Sequence, residues 1–248
     1  MCTITYLPLS KSSFIVTSNR DESRYRKIAM PPEKYDIGGE GVYYPKDMDA
    51  NGTWFAAGES RFTVCIMNGA FLPHEHKPPY RLSRGIMVLE FFEYRDVADF
   101  LSGYNFDGIE PFTLLVMEQL EETRIHEIRW DGKQAYTAMT DGRVPHIWSS
   151  AQLYPASVIR KREEWFDAWL EAGNAFTMEN IVWFHKTGGT GDKRTDLVMN
   201  RDGIVFTVSI TSVQRGEEKS VMRYEDMLET SRSPEERVRW TEWVSGGR

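Results

Sequence analysis

Residues 1–22 read MCTITYLPLSKSSFIVTSNRDE, and this stretch predicts how the fold begins. Residues 3–7 and 14–17 are rich in β-forming side chains, and the Pro-Leu-Ser-Lys-Ser segment between them is typical of a tight connection. The two segments are therefore expected to pair as an antiparallel hairpin. With the turn centred near Ser10, the numbers of paired residues add up to about twenty, which brings residues 18–21 beside Cys2.

Cys2 is a candidate nucleophile because it directly follows the initiator methionine. Removal of Met1 would give one residue both a thiol and a free α-amine. The thiolate is the nucleophilic form of cysteine, and an α-amine with a pKa of about 7.7–8.0 can accept the thiol proton near neutral pH. Small residues at position two also simply permit removal of Met1, so the spacing alone leaves both interpretations open.

Residues 18–22, Ser-Asn-Arg-Asp-Glu, follow an N-terminal Met-Cys-Thr and resemble the NRDE family, which includes the transport-and-Golgi-organisation proteins. Those proteins are in turn similar to the N-terminal-nucleophile hydrolases that cleave penicillin V and conjugated bile acids. Further segments resemble family motifs. They are Asp47 followed by Asn-Gly-Thr-Trp-Phe at 51–55, Cys-Ile-Met-Asn-Gly at 65–69, and Ser-Arg-Gly at 83–85.

The resemblance implies hydrolysis of an amide bond or acyl transfer, with Cys2 as the nucleophile. Asp21 is assigned to orient the Cys2 amine. Asn68 follows an apolar strand and precedes a glycine, so its amide is assigned to the oxyanion. Arg20 is assigned to hold negative charge nearby. Arg194 lies in a segment similar to a family strand and corresponds to the arginine that lines the active site of the hydrolases.

Asn19, Trp54 and Ser150 are assigned to substrate binding. Ser150 lies where family members usually read Leu-Ser-Asn, so the asparagine that would help to bind substrate is absent here. This departure favours an alternative function, a non-enzymatic carrier that binds an apolar metabolite such as haem in the same pocket. Arg20 and Asp21 have an alternative as well, a structural ion pair that closes the second strand.

The chain has a formal charge of −7, from 30 basic and 37 acidic residues that are interspersed. No continuous basic stripe is present to follow a phosphate backbone, which argues against nucleic acid as a partner. The local basic cluster within residues 20–27 could bind an anionic substrate group or belong to a solvated loop. A small-molecule amide or an apolar metabolite is the expected ligand.

The 248 residues, 41% of them apolar, can bury one large core, and a single domain over residues 1–248 is expected. No apolar run approaches the roughly 18 residues that a membrane span needs, and no leader is evident, so a cytoplasmic protein without a span is expected. Cys2 and Cys65 do not suggest a disulfide framework. The prolines around residues 74–76, His-Glu-His, predict an extended loop, and no metal or other cofactor is expected.

Turn signals between apolar runs predict about ten strands in meandering antiparallel order, one of them over residues 195–199. A capping box at residues 233–236 predicts a last helix that runs to about Trp243. This order of elements and the resemblance together indicate an α+β fold, a four-layer αββα sandwich of two antiparallel sheets covered by helices. Earlier helices are predicted over residues 83–94, 96–101, 156–172 and 178–186.

Overall fold

The structure, a computed structural model, describes residues 3–228, 233 and 235–245. Cys2, the candidate nucleophile, lies outside the described residues. The helices of the described chain are α1 (Arg84–Glu90), α2 (Val97–Gly103), α3 (Ala156–Glu171) and α4 (Met178–Thr187). The strands are β1 (Thr3–Pro8), β2 (Phe14–Ser23), β3 (Met30–Ile37), β4 (Glu40–Lys46), β5 (Phe55–Gly58), β6 (Phe62–Asn68), β7 (Phe112–Glu118), β8 (Arg124–Trp130), β9 (Ala135–Asp141), β10 (His146–Ser149), β11 (Asn200–Arg201), β12 (Val205–Arg215), β13 (Lys219–Asp226) and β14 (Val238–Val244).

The predicted N-terminal hairpin is formed by β1 and β2. Thr3 pairs with Asn19, so the paired residue numbers add up to 22 and not to about twenty. The shift arises in the turn, where the main-chain N–H groups of Leu9 and Ser10 both donate to the carbonyl of Ser13. Thr3 also pairs with Ser149 on β10. The start of β1 therefore lies between two strands.

Within the described residues, the two sheets are antiparallel and have seven strands each. The first has the order β10-β1-β2-β12-β13-β14, and β11 pairs with β12. The second runs from β3 to β9 in chain order, as the meandering pattern predicts. Side chains from both sheets form the main core, including Ile4 and Tyr6 of β1 and Val64, Leu115 and Val116 of the second sheet.

Helices cover the outer faces of both sheets. On the first sheet, Leu7 of β1 and Ile15 of β2 pack against Phe166 of α3 and Phe184 of α4. On the second sheet, α1 packs against β5 and β6. The resulting order of layers is helix, sheet, sheet, helix, which confirms the predicted fold class. The longest helix, α3, has 16 residues, and none of the helices in the described part of the chain is long and apolar enough to span a bilayer.

The strand predicted over residues 195–199 is wrong. The main-chain N–H groups of Thr195 and Asp196 both donate to the carbonyl of Asp192 at 2.9 Å, which folds this segment into a turn. Only the two residues of β11 that follow it join the sheet. Local turn hydrogen bonds by Asp192 therefore replace the ladder that the β-forming side chains suggest.

The predicted last helix is also wrong, although its cap is present. Ser233 N donates to Glu236 Oε2 at 2.9 Å and Glu236 N donates to Ser233 Oγ at 3.3 Å, as in a capping box. The chain then continues into β14, which pairs with β13. Trp243 of β14 is buried and stacks on Tyr43, with ring centroids 4.4 Å apart. Burial of this indole between the sheets outweighs the local helix signal.

Candidate active site

A cavity of about 450 Å³ lies where the end of β2 meets the segment before β5, the end of β6 and the start of α1. Its volume is within the usual range for small-molecule sites. The wall carries charged, polar and apolar side chains. Among its lining residues are Arg20, Glu22, Arg26, Asp47, Trp54, Ile66, Asn68, His76, Tyr80, Leu82, Arg84 and Glu110.

Strand alternation decides which residues of the Asn-Arg-Asp segment reach this cavity. Successive side chains of a strand point to opposite faces of the sheet. Arg20 of β2 points toward the second sheet and lines the cavity. Asn19 and Asp21 point to the other face. Asn19 contacts α4, whereas Asp21 contacts the segment before α3 and the strand β12.

Arg20 is fixed by two neighbours in the cavity wall. Its Nη2 donates to Asp47 Oδ2 at 2.5 Å, and its guanidinium lies over the Trp54 ring, 4.2 Å from the centroid. Asp47 Oδ1 accepts main-chain N–H groups from Asp49 and Ala50 at 2.9 Å each. The Arg20 side chain is only 5% exposed. The ion pairs described for Arg20 are with Asp47 and Glu22, so its position is set by the cavity wall.

Asn68 ends β6 and brings its side chain to the cavity. Its main-chain carbonyl accepts Ser150 Oγ at 2.7 Å and Gln152 N at 3.3 Å. Gly69 follows with a φ of +83°, a left-handed conformation that glycine adopts without strain. The side-chain amide of Asn68 makes no hydrogen bond within the described residues, so it is available to a ligand. Ser150 is buried and acts here by holding Asn68.

Asn19 is fully buried within a hydrogen-bonded network beneath β1. Its Nδ2 donates to the carbonyls of Leu197 at 2.7 Å and His185 at 3.2 Å, and its Oδ1 is 2.6 Å from His185 Nδ1. The other ring nitrogen of His185 is 2.8 Å from Thr5 Oγ1. Burial, and to a lesser extent the charge of Arg162, lowers the pKa of His185 to about 3. The imidazole is therefore neutral, and the network joins β1, β2 and α4.

Asp21 is also buried on this face and is bound by two hydroxyl groups. Tyr154 Oη donates to Asp21 Oδ2 and Thr207 Oγ1 donates to Asp21 Oδ1, both at 2.5 Å. The guanidinium of Arg162 lies 3.7 Å from the centroid of the Tyr154 ring. Two short hydrogen bonds fix the direction of this carboxylate, and Arg162, which lies over the Tyr154 ring, also donates to Thr3.

A second ion-pair cluster in the cavity wall is centred on Glu110. Arg84 Nη2 lies 2.9 Å from Glu110 Oε2, and Glu110 Oε1 lies 3.0 Å from His74 Nε2 and 3.1 Å from His76 Nδ1. Burial alone would raise the pKa of Glu110, but Arg84 and the two histidines hold it below its usual value. The loop with Glu75 is therefore fastened to the cavity by its histidines, whereas Glu75 itself pairs with Lys77.

The cavity wall consists of main chain where the segment before β5 meets α1. Thr53 N donates to the carbonyl of Gly85 at 3.0 Å. A Cβ atom on Gly52 would lie 2.3 Å from the carbonyl carbon of Gly85, and a Cβ on Gly85 would lie 2.8 Å from the carbonyl oxygen of Thr53. Neither contact is sterically possible without movement of the backbone. The close approach therefore requires glycine at both positions.

Most of the chain matches the model of a known family. Residues 1–191 match the model described as Transport and Golgi organisation 2. The chain belongs to this family. No curated protein matches the sequence of this family member.

Solved structures with a similar fold include hydrolases and an acylase. The N-acylethanolamine-hydrolyzing acid amidase ortholog of Caenorhabditis elegans has a TM-score of 0.59 at 13% identity, over 85% of this chain and 92% of that one. A variant of the conjugated bile acid hydrolase of Clostridium perfringens also has a TM-score of 0.59, at 8% identity over 97% and 92% of the two chains. Penicillin V acylase of Agrobacterium tumefaciens has a TM-score of 0.53 at 10% identity, over 97% and 85%. At these identities the likeness shows a shared fold.

Arg194 lies on the surface of this family member. Its side chain is 61% exposed, and its Nη1 is 2.8 Å from both carboxylate oxygens of Asp202. The structure therefore does not bring Arg194 to the cavity that Arg20 and Asn68 line. Because Cys2 lies outside the described residues, the site is defined by the residues that line the cavity.

Arg162 is a buried cation beside β1 that the sequence analysis does not identify. Its Nη1 donates to Thr3 Oγ1 at 2.5 Å, and its other nitrogens donate to the carbonyls of Thr195 and Asp196 at 2.7–3.2 Å. A signal was present in the sequence. Arg162 lies four residues after Val158 and four before Phe166, the other buried residues of α3, and so it occupies the buried stripe of the helix.

Proposed function

We propose that the chain is an amidohydrolase or acyltransferase that acts on a linear C–N amide bond of a small molecule. The observation that carries the proposal is the pairing of Thr3 with β2 on one side and β10 on the other. This register leads the N-terminal end of the chain to the strand that carries Arg20. Ser150, which follows β10, holds the main chain of Asn68. Both Arg20 and Asn68 line the same cavity.

Cys2 supplies the chemistry in this proposal after Met1 has been removed. The α-amine takes the thiol proton, and the thiolate attacks the amide carbonyl. Collapse of the tetrahedral intermediate breaks the C–N bond, and the proton passes to the leaving nitrogen. The resulting thioester is cleaved by water or by a second nucleophile. An oriented carboxylate next to the amine suits this cycle, and Asp21 is the residue proposed for that role.

Asn68 and Arg20 stabilise charge in the proposed reaction. The unpaired amide of Asn68 donates to the oxyanion as its negative charge develops. Arg20, held between Asp47 and Trp54, adds a fixed positive charge to the wall, and the indole provides an apolar surface for the acyl group. Asn19 contributes indirectly, since its network positions β1. Arg194 has no role here because its partner lies outside the cavity.

The wall of the cavity fits a polar substrate better than an apolar metabolite. Desolvation of ionised side chains by an apolar ligand would be costly, because the ligand offers no compensating hydrogen bonds. The apolar carrier is therefore not favoured by the described site. Six lining residues are charged, namely Arg20, Glu22, Arg26, Asp47, Arg84 and Glu110.

Intact mass and turnover together test the proposal. Protein made without an N-terminal tag is expected to lack Met1. In a screen of acyl amides, Cys2→Ala should abolish turnover, and Asn68→Ala should lower it by roughly 10²–10³. Cys65→Ala is the matched control, since this fully buried thiol lies in the core and turnover should persist. Retention of Met1, or turnover that survives Cys2→Ala, contradicts the mechanism.

A further inference from the structure

The basic residues of segment 20–27 have different environments in the structure. Arg24 lies over the exposed ring of Tyr25, 5.7 Å from its centroid. Lys27 is 70% exposed and pairs with Asp49 at 3.4 Å. Neither residue lines the cavity, whereas Arg26 does. The solvated-loop alternative therefore applies to Arg24 and Lys27, and the anion-site alternative applies to Arg26.

Arg26 has weaker partners than any other arginine of the cavity wall. Its Nη1 is 3.4 Å from Asp47 Oδ1, and its Nε is 3.7 Å from Glu22 Oε2, beyond hydrogen-bonding distance. Arg20, by contrast, is 2.5 Å from Asp47, and Arg84 is 2.9 Å from Glu110. A guanidinium has five N–H donors, and that of Arg26 makes one long hydrogen bond within the described residues.

The surroundings of Arg26 leave it free to bind a ligand. Asp47 already accepts Arg20 and two main-chain N–H groups, so it cannot fully satisfy a second guanidinium. The Arg26 side chain is 39% exposed, compared with 5% for Arg20. Guanidinium donors that line a cavity without close partners favour an anionic ligand, because a hydrogen bond between two ionised groups is stronger than one between neutral groups.

The charge balance near Arg26 limits the anion to a single charge. Arg20 and Arg26 are balanced by Asp47 and Glu22. Arg84, whose charge also acts on Glu22 and Arg26, is balanced by Glu110, so this part of the cavity has no net charge before a ligand binds. A monoanion can take up the unsatisfied donors of Arg26. A second negative charge would lie close to Glu22 and Asp47 and would be repelled.

We propose that Arg26 is an anion-binding subsite and that the cavity prefers small amides that carry one carboxylate. A guanidinium and a carboxylate are both planar and can form two parallel hydrogen bonds, which favours a carboxylate over a neutral amide at this position. That these amides are also substrates rests on the proposed function. The affinity for the carboxylate is a property of the cavity and does not depend on turnover.

Binding to the Cys2→Ala chain tests the subsite without turnover. N-phenylacetylglycine and N-phenylacetylglycinamide differ only in a terminal carboxylate or amide, and calorimetry measures the affinity of each. We expect the carboxylate to bind about tenfold more tightly, the strength of one charge-assisted hydrogen bond over a neutral one. Equal affinities, or no binding of the carboxylate, would overturn the proposal.

Variants of the segment assign the preference to Arg26. Arg26→Gln should remove the preference, Arg26→Lys should keep part of it, and Arg24→Gln should leave it unchanged. Arg24 is the matched control because it is a cation two residues away that lies outside the cavity. A preference that persists in Arg26→Gln, or that disappears in Arg24→Gln, contradicts the assignment.

Turnover of the same two compounds separates this inference from the proposed function. If the wild-type chain hydrolyses no amide, yet carboxylate binding depends on Arg26, the proposed function is wrong and the subsite stands. If both compounds are hydrolysed with equal kcat/KM in the wild type and in Arg26→Gln, the subsite is wrong and the proposed function stands.

Discussion

Arg162 Nη1 donates a hydrogen bond of 2.5 Å to Thr3 Oγ1, which ties α3 to the first described residue of β1. The guanidinium is fully buried. Its remaining donors reach the carbonyls of Thr195 and Asp196, and its face stacks on the Tyr154 ring. These contacts compensate for the removal of a charge from water. One arginine thus joins the N-terminal strand, a helix and the turn before β11.

Arg162→Met is expected to lower the free energy of unfolding by about 3 kcal/mol or more. The substitution leaves the buried Thr3 hydroxyl and two half-buried carbonyls without their donor. Urea unfolding monitored by tryptophan fluorescence measures the loss. Arg160→Met is the matched control, because Arg160 lies on the exposed face of the same helix and its replacement should change the stability by no more than about 0.5 kcal/mol. Similar values for the two variants would show that Arg162 does not support β1.

The two cysteines are expected to differ in reactivity toward iodoacetamide. Burial raises the pKa of the Cys65 thiol well above its usual value, and the side chain is inaccessible within β6. Cys2, with an α-ammonium group on the same residue after removal of Met1, should be labelled first. Peptide mapping at short times gives the ratio, and denatured protein, in which both thiols react, is the control. Preferential labelling of Cys65 in the folded chain contradicts this expectation.

The stability of the fold should decrease as the pH falls, and His185 should contribute. In the folded chain its pKa is lowered to about 3, chiefly by burial. An unfolded histidine binds a proton near pH 6.5, so the unfolded state holds more protons between about pH 6.5 and 3. Stability is therefore lost as the pH falls through this window, by about 2 kcal/mol at about pH 5.

His185→Gln isolates this contribution, because glutamine retains a hydrogen-bonding amide and does not titrate. The variant is expected to be less stable than the wild type near neutral pH and to have a shallower loss of stability toward about pH 5. Urea midpoints measured near neutral pH and at about pH 5 give the pH dependence of stability for the wild type and for the variant. An identical pH dependence in the two proteins would mean that the acid sensitivity arises elsewhere.

The sequence predicts those elements whose signals are local. The hairpin of β1 and β2, the helices α3 and α4, and the meander from β5 to β9 follow from turn residues and apolar periodicity. β3 is missed because Pro31 and Pro32 argue against a strand. The structure accommodates them because β3 is the edge strand of its sheet and has an irregular register there.

The site is predicted from the sequence only where a motif marks it. Arg20, Trp54 and Asn68 lie in segments that resemble family motifs, and the structure brings their side chains to one cavity. Glu110 and Arg84 complete the same wall, but their proximity depends on the pairing of distant strands and on the loop between them. A single sequence contains no local pattern that reports such a contact.

The contact between Gly52 and Gly85 limits how the cavity can be redesigned. Because this part of the wall is main chain on both sides, its shape cannot be altered by exchanging side chains there without loss of the backbone packing. A change of ligand preference must come from other parts of the wall, where Ile66 and Leu82 contribute replaceable apolar groups. In directed evolution, libraries at these two positions should yield altered selectivity, whereas libraries at the glycines should yield mostly unfolded protein.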